Sequence, residues 1–213
     1  MSKIFFSTSI KGGVGKTALA ALIADTIQLY APGEALRCFS PCATELQEYV
    51  DEGIGVEECK LDTVAEIGKA VESVGDAWGV FDFVPSSHRR VLEIAQDVIA
   101  VYPHVHFLYN AGNETLLSSE VFARLATIQD NVTMCYVQPE RNGKPLDYMI
   151  PSLKSWHGDS LAVPCLGRGY GHVDMMNKRS IPHIQRLFIQ TWKHQAITAI
   201  RDHFNINAEA KEV

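Results

Sequence analysis

Two hydrophobic rhythms alternate along this chain. Short apolar runs of strand type occur at Lys3 to Thr8, Ala35 to Phe39, Trp78 to Val84, Val132 to Val137 and Leu161 to Cys165. Between them apolar residues recur at helical spacing, as in Val64, Ile67, Ala70 and Val71. Strand-like and helix-like segments taken in turn predict an α/β fold, a mostly parallel sheet with helices on both faces. The first helix is expected from Lys16 to Tyr30, ending before Pro32-Gly33, and a short one from Thr44 to Val50. Thr63-Val64-Ala65-Glu66 has the form of a capping box, in which two backbone N–H groups are satisfied reciprocally at a helix start. Ser86-Ser87 can cap a further helix carrying Val91, Leu92 and Ile94.

One stretch needs a choice. Val98 to Val101 reads either as a strand or as the end of that helix. The loop-forming Asn110-Ala111-Gly112-Asn113 favours the second reading, with the strand at Val105 to Tyr109 and a helix from Glu114 to Gln129. Arg141-Asn142-Gly143-Lys144-Pro145 is a turn. A long amphipathic helix from Ile181 to Phe204 closes the fold, with Ile184, Leu187, Phe188, Ile197, Ile200 and Phe204 expected inward. No repeat or linker interrupts the 213 residues, so residues 1–213 are expected to form a single domain.

Composition adds boundaries rather than chemistry. No run approaches the ~18 apolar residues of a membrane span, and no signal-peptide plan precedes the first strand, so a cytoplasmic protein is expected. Cys38, Cys42, Cys59, Cys135 and Cys165 are odd in number and scattered, which fits small buried core thiols better than disulfides or a metal site. The net charge of −6 argues against a generic nucleic-acid binder. Its distribution is uneven: Arg168, Lys178, Arg179, Arg186, Lys193 and Arg201 are opposed between residues 167 and 204 only by Asp174 and Asp202. Lys178, Arg179, Arg186, Lys193 and Arg201 form either a phosphate-backbone contact for DNA or an ordinary solvated face.

The chemistry lies in Lys11-Gly12-Gly13-Val14-Gly15-Lys16-Thr17, between the first strand and the first helix. Strand, glycine-rich loop and helix in that order make a phosphate-binding loop. Gly12, Gly13 and Gly15 let successive N–H groups, with those of Val14 and Ala18, close around phosphate oxygens at the positive end of a helix. Lys16 can reach the terminal phosphates and Thr17 can ligate Mg²⁺. Asp82, in Gly79-Val80-Phe81-Asp82, supplies the acid that such sites need for Mg²⁺. ATP and Mg²⁺ are the expected cofactors.

The run K-G-G-V-G-K-T, with Ile10 where the general pattern has glycine, resembles the deviant Walker A signature of the ParA/MinD family of dimerising P-loop ATPases. Phe83-Val84-Pro85-Ser86 after Asp82 is similar to the stretch that follows the family's Walker B strand. The resemblance implies a P-loop NTPase architecture and an ATP-induced homodimer in which Lys11 reaches the partner's phosphates. It also implies an adenine contact from Gln138, in Tyr136-Val137-Gln138-Pro139. The family's water-positioning Asp at the end of strand two is replaced by Ser40, in Cys38-Phe39-Ser40-Pro41-Cys42. A serine hydroxyl is no carboxylate base, so hydrolysis is expected to be weak or dependent on a partner.

Several details look most like the small TraL/StbB-type proteins of plasmid transfer and stability, among them Ser40-Pro41-Cys42-Ala43-Thr44 and the stretch from Pro164 to His172. That likeness implies a nucleotide switch in plasmid partition, stability or conjugation, with non-specific DNA and a plasmid-encoded DNA-binding or transfer protein as partners. The polar tail after Phe204 offers no membrane anchor. The competing readings are an ATP-dependent metabolic enzyme of the dethiobiotin synthetase or cobyrinate amidase type and a metal-cluster carrier.

Overall fold

A computed structural model of the protein describes residues 3–9, 15–83, 88–111, 119–137, 140–141, 144–145, 156–164 and 183–207. In chain order its elements are β1 (Ile4–Thr8), α1 (Lys16–Tyr30), β2 (Leu36–Ser40), α2 (Ala43–Tyr49), β3 (Val56–Glu58), α3 (Val64–Val74), β4 (Trp78–Asp82) and α4 (His88–Val101). There follow β5 (Val105–Asn110), α5 (Ser119–Ala126), a 3-10 turn (Gln129–Asn131), β6 (Val132–Val137), β7 (Glu140–Arg141), β8 (Lys144–Pro145), β9 (Asp159–Val163) and α6 (His183–Phe204). Seven strands form one sheet in the order β3-β2-β4-β1-β5-β6-β9, and every pairing in it is parallel. β7 and β8 pair antiparallel with Arg141 opposite Lys144, while Asn142 and Gly143 of the expected turn lie outside the described residues.

The side-chain alternation of the strands builds a core on each face. Ile4, Phe6, Phe39, Phe81, Phe107 and Met134 join residues of α3, α4 and α5 such as Ile67, Val71, Val91 and Leu125. Phe5, Cys38, Val80, Leu108 and Cys135, one residue out of phase, join Leu19, Ile23, Leu46, Ile197 and Ile200 from α1, α2 and α6. Because all the strands run the same way, β1, β2, β4 and β5 end at one edge of the sheet. That edge is where α/β sheets of this kind hold ligands.

Local signals placed several elements closely. α1 spans the expected Lys16–Tyr30, and Thr63 and Glu66 make the capping box in both directions at the start of α3. β5 is the strand, and Val98 to Val101 ends α4. Other expectations need correction. Val64 is 49% exposed, because α3 turns Ile67, Ala70, Val71 and Val74 inward and leaves its first residue outside. Leu187 and Phe188 are 48% and 60% exposed: only the C-terminal half of α6, through Ala196, Ile197, Ile200 and Phe204, sits in the core. Cys42 is exposed and Cys59 half-buried, so burial holds for Cys38 and Cys135 alone among the described cysteines. α5 ends at Ala126 rather than Gln129. Ser86-Ser87, residues 112–118, the side chain of Ile184, and Cys165 lie outside the described residues.

β3 had no strand signal, since Val56-Glu57-Glu58 offers one apolar residue. It is the outermost strand beside β2, and Gln47 on α2 braces it. The Gln47 amide donates to the Ile54 carbonyl at 2.8 Å and accepts from the Val56 N–H at 3.1 Å. No helix among the described residues is long and apolar enough to cross a membrane.

Candidate functional site

α1 begins where β1 has just ended, and its start is unusual. Gly15, at the N-cap, has φ 86° and ψ 23°, the left-handed conformation that costs glycine little. Gly15 offers no side-chain cap, and the first turn of the helix carries no acid of its own. The Ser7 hydroxyl donates to the Lys16 carbonyl at 2.8 Å, pinning the first turn to β1. Ile10, Lys11, Gly12, Gly13 and Val14, the remainder of the expected loop, lie outside the described residues, as do Gln138, Lys178 and Arg179.

Lys16 is buried. Burial pulls its pKa below the ordinary lysine value, against the opposing pull of Asp82 and Glu45. Thr17 is half-buried and its side chain hydrogen-bonds to Asp82. Ala18 is buried in the α1 core, so only its backbone can serve a ligand.

Asp82, the last residue of β4, pairs in register with Ser7 and is 4% exposed. Burial pushes its pKa up to about 6, against the hydrogen bond from Thr17 and the charge of Lys16. Its Oδ2 accepts from the Ser40 hydroxyl across 3.5 Å, and its Oδ1 is buried with no hydrogen-bond partner. A buried carboxylate oxygen left orphaned next to a threonine hydroxyl is a hard-oxygen set that fits a divalent cation. Ser40 is fully buried, and its hydroxyl also accepts from the Cys42 N–H at 3.1 Å. The serine is thereby tied to Asp82 and to the start of α2.

Two residues of this edge carried no signal in sequence. Glu45, exposed in the first turn of α2, acts electrostatically on Lys16, Tyr49 and Asp82. Only the tertiary approach of α2 to α1 reveals it. Asn110, the last residue of β5, is buried with its Nδ2 unpartnered, and its carbonyl accepts from the Ser9 hydroxyl at 2.9 Å. Its sequence context reads as a turn and nothing more.

The basic C-terminal stretch is partly spent inside the chain. Lys193 pairs with Asp25 and Asp51, each at 2.7 Å. Arg201 donates to Asp202 at 2.7 Å and lies 4.8 Å from the Tyr30 ring centroid. Arg186 is exposed. Among the described residues, no three His, Cys, Asp or Glu side chains converge as a metal-ion cluster.

No protein-family model and no curated protein matches the sequence. Among solved structures, the chain is similar to a nucleotide-binding protein from Archaeoglobus fulgidus, in complex with ADP and with cobalt found in it, at 13% identity and a TM-score of 0.52 over 88% of each chain. The two share a fold. It is an α/β architecture with a seven-stranded parallel sheet between helices. A ParA family ATPase from Chlorobium tepidum TLS also aligns, at 14% identity over 94% of this chain and 91% of that one. Its TM-score of 0.37 carries no argument of its own.

Proposed function

We propose that the protein is an ATP-binding switch whose nucleotide site lies at the carboxyl ends of β1 and β4. One observation carries this reading. The left-handed Gly15, the buried Lys16 and the bonded pair Thr17–Asp82 meet at the start of α1. In the sequence, Gly15, Lys16 and Thr17 follow Lys11-Gly12-Gly13-Val14 directly. An anion at that start receives backbone N–H groups and the helix dipole, and Lys16 adds a full charge where burial strengthens it. Thr17 and Asp82 would hold a Mg²⁺ ion, which supplies neutralisation of phosphate charge when bound. The ADP complex of the Archaeoglobus protein, which shares the fold, supports a nucleotide as ligand.

The finer reading follows the resemblance in the loop. ATP joins two copies, Lys11 of each acting on the other's phosphates, and Gln138 contacts the base. The switch serves plasmid partition, stability or transfer in the cytoplasm, in the manner of TraL/StbB-type proteins, with a plasmid-encoded partner. A contact with DNA phosphates would fall to Arg186, Lys178 and Arg179, since Lys193 and Arg201 have partners within the chain. Turnover is slow because Ser40, which is bonded to Asp82, offers no carboxylate to a water.

Calorimetry with a slowly hydrolysed ATP analogue and Mg²⁺ tests the core of this. The parent is expected to bind, and Lys16→Ala to lose about 2–3 kcal/mol through one buried charge-assisted contact. Light scattering in the same solution should show the mass double, with Lys11→Ala weakening dimerisation but not binding. Equal affinity in Lys16→Ala and parent would remove the assignment.

A further inference from the structure

Asp82 and Asn110 occupy matching places on either side of β1. Each is the last residue of its strand, β4 and β5, and both strands pair directly with β1. Alternation sets their direction. Val80 and Leu108, two residues earlier, belong to the core that contains α1, so Asp82 and Asn110 turn toward α1 as well. Cys135, opposite Asn110 on β6, lies in that same core. Both end residues are more than nine-tenths buried, and each keeps one polar atom with no hydrogen-bond partner: Oδ1 of Asp82 and Nδ2 of Asn110.

The two orphans are chemically opposite. Asp82 presents an acceptor, which suits a cation or its bound water. Asn110 presents an N–H₂ donor, which suits an anion. Leaving such a buried group unmade carries a desolvation cost that a folded chain rarely leaves standing without a purpose. The Ser9 hydroxyl, bonded to the Asn110 carbonyl at 2.9 Å, ties the end of β5 to the chain that leaves β1 for the phosphate loop. The amide is thus held at the root of that loop.

We infer that Asn110 is a phosphate-binding residue, its Nδ2 donating to a non-bridging phosphate oxygen of the nucleotide on the side of β1 away from Asp82. This rests on the nucleotide reading above and adds to it a donor from β5 that the loop motif does not contain. The cation side and the anion side of the ligand then fall on opposite sides of β1.

The test compares the parent with Asn110→Leu and the isosteric Asn110→Asp. Thermal midpoints are taken without ligand, and affinities are measured for the ATP analogue with Mg²⁺ and for inorganic tripolyphosphate with Mg²⁺. Asn110→Leu should match or exceed the parent midpoint without ligand, because the orphan amide is gone, yet bind both ligands about tenfold more weakly. Asn110→Asp replaces the donor with an acceptor and should bind both more weakly still. If Asn110→Leu does not fold, the Asp variant decides. Unchanged affinity in a folded variant, with the parent binding normally, overturns this inference and leaves the nucleotide reading standing. A loss for the ATP analogue but none for tripolyphosphate also overturns it, assigning the amide to ribose or base. A parent that binds neither ligand overturns both.

Discussion

The Lys193 ammonium on α6 stands 2.7 Å from the carboxylate of Asp25 on α1, and that carboxylate is 1% exposed. Asp51 completes the group, pairing with Lys193 at 2.7 Å and giving its backbone N–H to Asp25 at 2.8 Å. Burial pulls the Lys193 pKa down, but Asp25 and Asp51 outweigh it and hold the value above the ordinary lysine 10.5. Burial holds the Asp25 carboxyl above its ordinary value in spite of Lys193, so only the lysine's share of the stability is full at neutral pH, fading as pH rises beyond 10.5. Lys193→Met strands a buried charge and should cost about 3–5 kcal/mol in urea unfolding. Adding Asp25→Asn should return much of the loss. A single-variant cost below about 0.5 kcal/mol, the level of an ordinary surface change, would mean that the pair is not buried in solution.

Asp82 itself contributes less to the stability of the ligand-free protein at neutral pH than in mild acid. Its pKa is raised from 3.8 to about 6, so the folded state favours the protonated form. That stabilising contribution is complete below 3.8 and lost as pH rises through about 6. The loss amounts to about 3 kcal/mol on conversion of the shift. Asp82→Asn should therefore raise the ligand-free thermal midpoint at pH 7.5 while weakening Mg²⁺-dependent nucleotide binding. A lower midpoint in that variant would show that the carboxylate is already satisfied without ligand.

At the opposite end of the sheet a second group titrates with the reverse sign. His106 is buried, and burial pushes its pKa down to about 4, against the attraction of Asp159. Thr133 gives its hydroxyl proton to Asp159 at 2.7 Å, so the 2.6 Å contact from His106 Nε2 is a donation to Thr133. The neutral imidazole contributes stability above pH 6.5 that is lost as pH falls toward about 4. Asp82 and His106 therefore oppose each other across the same acid range. In an Asp82→Asn background, unfolding free energy should fall by about 2–3 kcal/mol between pH 7 and pH 4.5. A flat profile in that background would count against the buried neutral histidine.

Ser40→Asp would place a second carboxylate where the hydroxyl now meets Asp82 across 3.5 Å. Two buried acids at that separation cannot both ionise easily. The variant should melt below the parent without ligand and recover disproportionately with Mg²⁺ and nucleotide. Phosphate release should rise with it, by up to about 10²-fold where a positioned base is restored. Turnover that is brisk in the parent and unmoved in the variant would mean that another group orients the water.

What could be read in advance followed how local the signal was. The Thr63–Glu66 box and the bounds of α1 depend on neighbours within a turn, and they stand where expected. Asp82 ends an apolar strand run and Lys16 opens the helix after a glycine-rich run, and strand pairing brings β1 and β4 side by side. Asn110 and Glu45 were invisible because their place depends on which strands and helices meet, not on adjacent residues. Leu187 and Phe188 continue the apolar pattern of α6, but only half of that helix reaches the sheet, and a periodic pattern does not reveal where its partner surface stops.

Gln47 protects one edge of the sheet. β3 is a free flank of the sheet, three residues long and carrying Glu57 and Glu58. The amide of Gln47 already occupies the Val56 N–H and the nearby Ile54 carbonyl. A foreign strand arriving there would find the Val56 N–H already taken and two negative charges in its way. Growth of a continuous sheet through this flank is thereby discouraged, by one side chain from the helix that precedes the strand.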